Sequence, residues 1–268
     1  MSLQTQFISD TLFQDRRGTF VIWLGNAGAL IQSRGTTVLI DPLISMMQRD
    51  GKDLLESGHR LKLPLPITAD RIPHVDAVMC THTDIDHFGE TTSRILNQRL
   101  DPLFIGPPMV CARWRNAGFR GHKVQEVYAG DQFPIGEVTV TVSPALHDWN
   151  PVNPFRLEDC CGFILQTPDG TIWHPGDTRL LEDHMSVKGV DVLFFDIAEA
   201  RAHLGPTGSA KLASSCGASY LIAYHYGTLD VPPGGPFGSD PAGCYPLIAN
   251  LSARFLPLRP GEPLWLER

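Results

Sequence analysis

The segment Thr81-His82-Thr83-Asp84-Ile85-Asp86-His87 packs four imidazole or carboxylate side chains into six positions, directly after the short apolar run Ala77–Thr81. That run reads as a buried strand, and a helix is predicted just beyond, over Glu90–Asn97. Histidines and aspartates wedged between a buried strand and a helix are costly to bury unpaired, and a divalent cation is the commonest compensation. Imidazole with carboxylate suits zinc, manganese or iron. Taken alone, the segment could still be a solvated polar loop.

Three later segments weigh against that bland reading. Ala145-Leu146-His147-Asp148-Trp149 follows the predicted strand Val138–Pro144. Trp173-His174-Pro175-Gly176-Asp177-Thr178 ends the strand Thr171–His174, and Tyr224-His225-Tyr226-Gly227 ends the strand Tyr220–Tyr224. Each places a hard or borderline ligand at the C-terminal end of a strand, where binding sites of layered α/β proteins gather.

The rest of the chain supplies the frame for those ends. Strands are predicted at Thr19–Leu24, Ala29–Gln32 and Thr36–Asp41, with Ser33-Arg34-Gly35 as a tight turn, and again at Lys123–Tyr128, Gly162–Thr167 and Val190–Ile197. Pro168-Asp169-Gly170 joins two of the later strands. Helices are predicted at Met109–Asn116 and Thr207–Cys216. Runs of strands with helices interposed singly, and strand interiors apolar on both faces, imply two packed sheets flanked by helices. From Leu229, with Pro232-Pro233-Gly234-Gly235-Pro236, the tail reads as a long irregular loop.

Composition excludes other classes. Lys and Arg number 22 against 29 Asp and Glu, a net charge of −7 without a basic block, which argues against a nucleic-acid partner. No apolar run approaches the roughly 18 residues of a membrane span. Met1–Gln6 lacks a basic region leading into an apolar one, so a cytoplasmic protein is expected. The six cysteines include no C-x-x-C pair and read as core residues. Cys160 and Cys161 are adjacent, and in an extended segment they point to opposite faces.

With these residues in order, the chain resembles the metallo-β-lactamase superfamily of metal-dependent hydrolases. The family pattern is a strand-end H-x-H-x-D-H loop, a single His, a Gly-Asp and a final His, matched by His82, Asp86, His87, His147, Asp177 and His225. The chain is further similar to the branch holding the L-ascorbate-6-phosphate lactonases and the N-acylphosphatidylethanolamine phospholipases D. Trp23-Leu24-Gly25-Asn26-Ala27-Gly28 with Asp41-Pro42, Phe104-Ile105-Gly106-Pro107, and His203-Leu204-Gly205-Pro206 lying 22 residues before His225 carry that likeness, which covers roughly residues 18–230. There are two departures. Asp84 replaces the second histidine of the loop, and Asn26 stands where the branch often has histidine. The carboxylate hardens the site and shifts its preference from zinc toward manganese or iron, or weakens one metal position.

The resemblance implies a four-layer αβ/βα sandwich, expected as one domain over residues 1–268 with an irregular tail at 231–268. It implies one or two divalent ions, with His82, Asp84 and His147 holding the first, Asp86, His87 and His225 the second, and Asp177 between them. Asp86 could instead stay off the metal and handle a proton. His203 is expected near the substrate as a proton donor or oxyanion stabiliser, with helix capping as its structural alternative. Trp149 and Arg156 are candidate substrate contacts, a wall and an anion clamp, although a lone arginine is more often solvated. His174 is expected behind the ligands or in the core, and His59, His74, His122 and His184 on the surface. The expected function is hydrolysis of a small anionic ester, lactone or phosphodiester by metal-activated water, with homo-oligomerisation left open. A non-catalytic descendant that binds a ligand or partner is the alternative, motivated by Asp84.

Overall fold

The computed structural model describes residues 3–233, 236–247 and 258–266. Its first strands are β1 (Thr19–Gly25), β2 (Gly28–Ser33) and β3 (Thr36–Ile40), which form an antiparallel meander. A two-stranded hairpin of β4 (Met46–Arg49) and β5 (Lys52–Leu55) stands apart from it. Then come β6 (Ala77–Met79), α1 (Glu90–Leu100), β7 (Leu103–Gly106), α2 (Pro108–Asn116) and β8 (Val124–Glu126). The strands β6, β7 and β8 extend the sheet from β3 in parallel, with α1 and α2 as crossovers.

The second sheet repeats this plan in reverse. Its antiparallel part is β9 (Gln132–Ile135), β10 (Val138–Pro144), β11 (Cys161–Thr167) and β12 (Gly170–His174). Its parallel part adds β13 (Val192–Asp196) and β14 (Tyr220–Tyr224), separated by α3 (Gly205–Cys216). Parallel neighbours need such a crossover, whereas the meanders need only short turns.

Alternation along β1 shows how the layers close. Val21 and Trp23 join Phe163, Leu165 and Trp173 in a core shared by the two sheets. Phe20, Ile22 and Leu24 face the other way, packing with Leu96 of α1 and Trp114 of α2. Both faces of the strand are therefore apolar, and no polar alternation marks it in the sequence. Burying one side chain such as Phe104, which meets Trp114 with ring centroids 5.2 Å apart, stabilises by about 1.5–3 kcal/mol. Leu212, Ala213 and Cys216 of α3 belong to the cluster that includes the second sheet. The outcome is the four-layer αβ/βα sandwich.

Two expectations need correction. The C-terminal stretch is not irregular throughout, because β15 (Pro263–Leu266) pairs antiparallel with Thr19–Ile22 of β1 and becomes the edge of the first sheet. Four residues with a leading proline carry too little local signal to mark a strand, and the pairing is made by burial against β1. Residues 248–257 of that tail lie outside the described residues. His184 is not a surface residue. It is buried, its Nε2 2.8 Å from the carbonyl oxygen of Pro144, and burial lowers its pKa. All six cysteines are buried, as expected of core residues.

Candidate metal centre

Strands from both sheets end at one place. The loop after β6 brings His82, Asp84, Asp86 and His87, and turns sharply because the Asp84 carbonyl accepts the His87 and Phe88 amides at 3.0 and 2.8 Å. His147 follows β10, Asp177 follows β12, and His225 follows β14. Gly176 is required before Asp177, since its φ is +67° and a Cβ there would lie 2.7 Å from the Cys161 carbonyl oxygen. Strain collects around this point. Asn26, Asp41, Ala202 and His225 all hold positive φ without being glycine.

The ligand-type atoms fall into three groups, each within a 4.8 Å span: His82, Asp84 and His147 as the first, Asp86, His87, Asp177 and His225 as the second, and a third of Asp177, Asp196, His203 and His225 that shares two members with the second. In the first, Asp84 Oδ2 lies 3.3 Å from His147 Nε2 and 3.6 Å from His82 Nε2. In the second, Asp86 Oδ2 lies 3.5 Å from the Nε2 atoms of both His87 and His225. Asp177 joins them: its Oδ2 is 3.2 Å from His87 Nε2, 3.8 Å from His225 Nε2 and 3.9 Å from His147 Nε2.

Four of these inward atoms, His82 Nε2, His87 Nε2, His225 Nε2 and Asp177 Oδ1, are buried without a hydrogen-bond partner. Leaving one buried polar group unsatisfied costs about 1–3 kcal/mol. Several such atoms converging on one space are what a cation with nitrogen and oxygen ligands would satisfy.

The outward ring nitrogens are all engaged. His87 Nδ1 lies 2.7 Å from Asp41, and His225 Nδ1 lies 2.9 Å from Asp196. Asp41 also accepts the Thr81 amide and hydroxyl, both at 2.7 Å. With its hydrogen committed to Asp41, the Thr81 hydroxyl accepts from His82 Nδ1 at 3.0 Å. His147 Nδ1 donates to the Ala202 carbonyl at 3.1 Å. These contacts hold a proton on Nδ1 and turn Nε2 of all four rings inward, where a bound cation would take the lone pair in place of a proton.

The electrostatics follow from burial and neighbours. Burial opposes charge on Asp84, but His147 and His82 hold its carboxyl below the usual range. Asp177 is held well below its ordinary value in the same way, by His225 and His87 against burial. Burial also opposes the His225 imidazolium, yet Asp177 and Asp196 push it up to about 10. The anions dominate this cavity, and a cation would take over the role of those protons.

The structure places the remaining candidates unequally. His203 stands at the centre, its Nδ1 2.5 Å from Asp196 and its ring 4.7 Å from that of His147. Trp149 donates its indole N–H to Asp84 Oδ2 at 2.9 Å. Arg156 is turned outward: its side chain is 70% exposed and pairs with Glu158 at 2.8 Å and Asp159 at 3.3 Å, so its geometry offers no anion clamp. His174 lies behind the ligands, its Nε2 2.8 Å from the Ala27 carbonyl oxygen.

Three further residues were assigned no role at the site from the sequence. Asp41 and Asp196 brace the ligand rings, and Phe155 sets its ring 5.8 Å from that of His82 and 6.2 Å from that of His147. Both aspartates close apolar strands, which is a visible signal. Phe155 carries none.

Comparison with known proteins follows the same outline. Residues 36–226 match the profile described as "Beta-lactamase superfamily domain". A "UPF0173 metal-dependent hydrolase" of Pyrobaculum aerophilum is 25% identical over 248 residues, covering 90% of this chain and 97% of the relative. Among solved structures, Igni18, a metallo hydrolase of Ignicoccus hospitalis, superimposes with a TM-score of 0.70 at 16% identity, over 93% of this chain and 99% of the other. An isothiocyanate hydrolase from Delia radicum gut bacteria gives 0.71 at 17% identity, over 91% and 98%.

Proposed function

The chain belongs to the beta-lactamase superfamily, and on that premise we propose that it is a metal-dependent hydrolase whose metal ligands are His82, Asp84, His147, Asp86, His87, His225 and Asp177. The observation that carries this reading is the position of Asp177 Oδ2, within 3.2–3.9 Å of inward nitrogens from the first and second groups. A single carboxylate so placed suits a site for two ions. Bound divalent ions would supply a water of lowered pKa and a Lewis acid at the oxygen under attack.

The chain's own residues do the rest. The four imidazoles, each fixed through Nδ1, keep the ligand lone pairs aimed at one space. Asp196 accepts from His203 Nδ1, which leaves His203 Nε2 as the atom that exchanges a proton with the substrate or its leaving group. Asp86 sits among the second group's ligands, and we assign it there rather than to proton handling. Phe155 and Trp149 stand against the first group, the one through ring contact with His82 and the other through its hydrogen bond to Asp84.

We extend the reading to a small anionic ester, lactone or phosphodiester as substrate, and to manganese or iron over zinc at the first group, where Asp84 makes the donor set harder. No helix among the described residues is long and apolar enough to cross a membrane.

Elemental analysis of the protein purified without added metal tests the reading, together with Asp177→Ala. The expected result is two equivalents in the native chain, with metal and hydrolysis of ester and phosphodiester probes both lost in the variant. Full occupancy in Asp177→Ala would overturn the bridging role. A native chain without metal would favour a binding protein instead of an enzyme.

A further inference from the structure

Asp84 is the one proposed ligand at which this chain departs from the pattern it resembles, and its surroundings differ from those of every other ligand. An imidazole presents one inward nitrogen and is held by the other. A carboxylate is shorter, offers two equivalent oxygens, and turns about its last bond, so something must decide which oxygen faces the metal and in what orientation.

Trp149 is placed to do this. It lies two residues beyond His147, on the connection between β10 and β11, and its indole Nε1 donates to Asp84 Oδ2 at 2.9 Å. That same oxygen lies 3.3 Å from His147 Nε2 and 3.6 Å from His82 Nε2, so it is the atom aimed into the first group. The other donors within reach of the Asp84 carboxylate are themselves proposed ligand nitrogens, which present lone pairs rather than hydrogens when an ion is bound. Phe155, on the same connection, stands against both His82 and His147. This one stretch of chain therefore touches every member of the first group. A histidine at position 84, with its inward nitrogen turned to a metal, would have no lone pair left for the indole, so the donor and the departure belong together.

We propose that Trp149 is a positioning residue that fixes the Asp84 carboxylate, leaving one lone pair of Oδ2 directed between His82 and His147 and thereby completing the first group. The proposal rests on the reading of Asp84 as a metal ligand. Partners that orient a ligand from behind typically alter metal affinity 10–100-fold when removed. Trp149 is 45% exposed, so replacing it leaves the core untouched.

The test is a calorimetric titration of the full chain with Mn²⁺ alone, comparing the native protein with Trp149→Phe, Asp84→His and the double variant. Trp149→Phe should weaken the looser of two binding events about tenfold and leave the tighter one unchanged. In the Asp84→His background the same substitution should change affinity less than twofold, because no carboxylate remains to orient. Unchanged Mn²⁺ binding in Trp149→Phe would overturn the proposal, as would an equal weakening in both backgrounds, which would mark a purely structural role for the ring. Absence of any Mn²⁺ binding by the native chain would overturn the metal reading itself and the proposal with it.

Discussion

Behind His87 stands Asp41 at 2.7 Å and behind His225 stands Asp196 at 2.9 Å, whereas His82 and His147 rest on the Thr81 hydroxyl at 3.0 Å and the Ala202 carbonyl at 3.1 Å. The second group thus has carboxylates both among its ligands and behind its rings, all buried, while the first has neutral supports and one partly exposed carboxylate, Asp84. A carboxylate behind an imidazole raises its basicity and fixes its orientation. Burial of the second group also leaves little solvent to screen its negative charge. On the proposed reading the two halves differ in strength: the second would hold an ion tightly, and the first, with Asp84 partly exposed, would hold it more loosely and be open to adjustment through Trp149.

The largest effect expected on this contrast comes from His203, which shares Asp196 with the ligand His225 but is not needed to complete either half. His203→Ala should keep the native metal content while kcat and kcat/KM fall together by about 10²–10³-fold, the usual consequence of losing one transition-state donor. Steady-state kinetics on a validated substrate, paired with elemental analysis, checks this. Loss of metal would make His203 part of the second half's ligand set, and unchanged rates would leave it as a structural partner of Asp196.

Asp41→Asn strikes the bracing directly. It removes the charge behind His87 while keeping a hydrogen-bond acceptor, and should weaken the tighter binding event about 10–100-fold without moving the looser one. Competition with a chelator of known affinity measures it. Equal weakening of both events would mean that the halves are one cooperative unit and that the contrast between them fails.

Asp84→His should have the smallest effect, and it narrows the contrast from the other side. It restores a nitrogen to the first half, and zinc affinity should rise about tenfold relative to manganese. Parallel titrations with the two ions decide the matter. An unchanged preference would place Asp84 outside the set of residues that touch the metal.

Legibility in the sequence divided along the same line as strength. The proposed ligands stood out because polar side chains interrupt apolar strand ends, and His82, Asp86 and His87 do so within one loop. Their braces did not stand out. Asp41 ends an apolar strand as Asp177 does, and nothing local says that one faces a histidine's Nδ1 and the other its Nε2. Arg156 was read as a candidate clamp from its type and position, but its role depends on Glu158 and Asp159, whose proximity the folded loop decides. His184 has no ligand spacing around it and so reads as a surface residue, yet packing buries it beneath the Pro144 carbonyl.

By itself the sequence determined ten of the fifteen strands among the described residues and their order, the three α-helices between them, and the residue types at the strand ends. These depend on local pattern and on the physics of burying charge, whereas the short strands β4, β5, β7, β9 and β15 carried too little local signal. The tertiary structure alone decided which strand ends meet, that Pro263–Leu266 closes the edge beside β1, and which nitrogen of each histidine faces inward. Those outcomes depend on contacts between residues far apart in the chain, such as Asp196 with His225 or Trp149 with Asp84, and their geometry is set by how two sheets pack. A hydrogen bond of 2.9 Å is a property of two positions in space, and no local reading of either residue contains it.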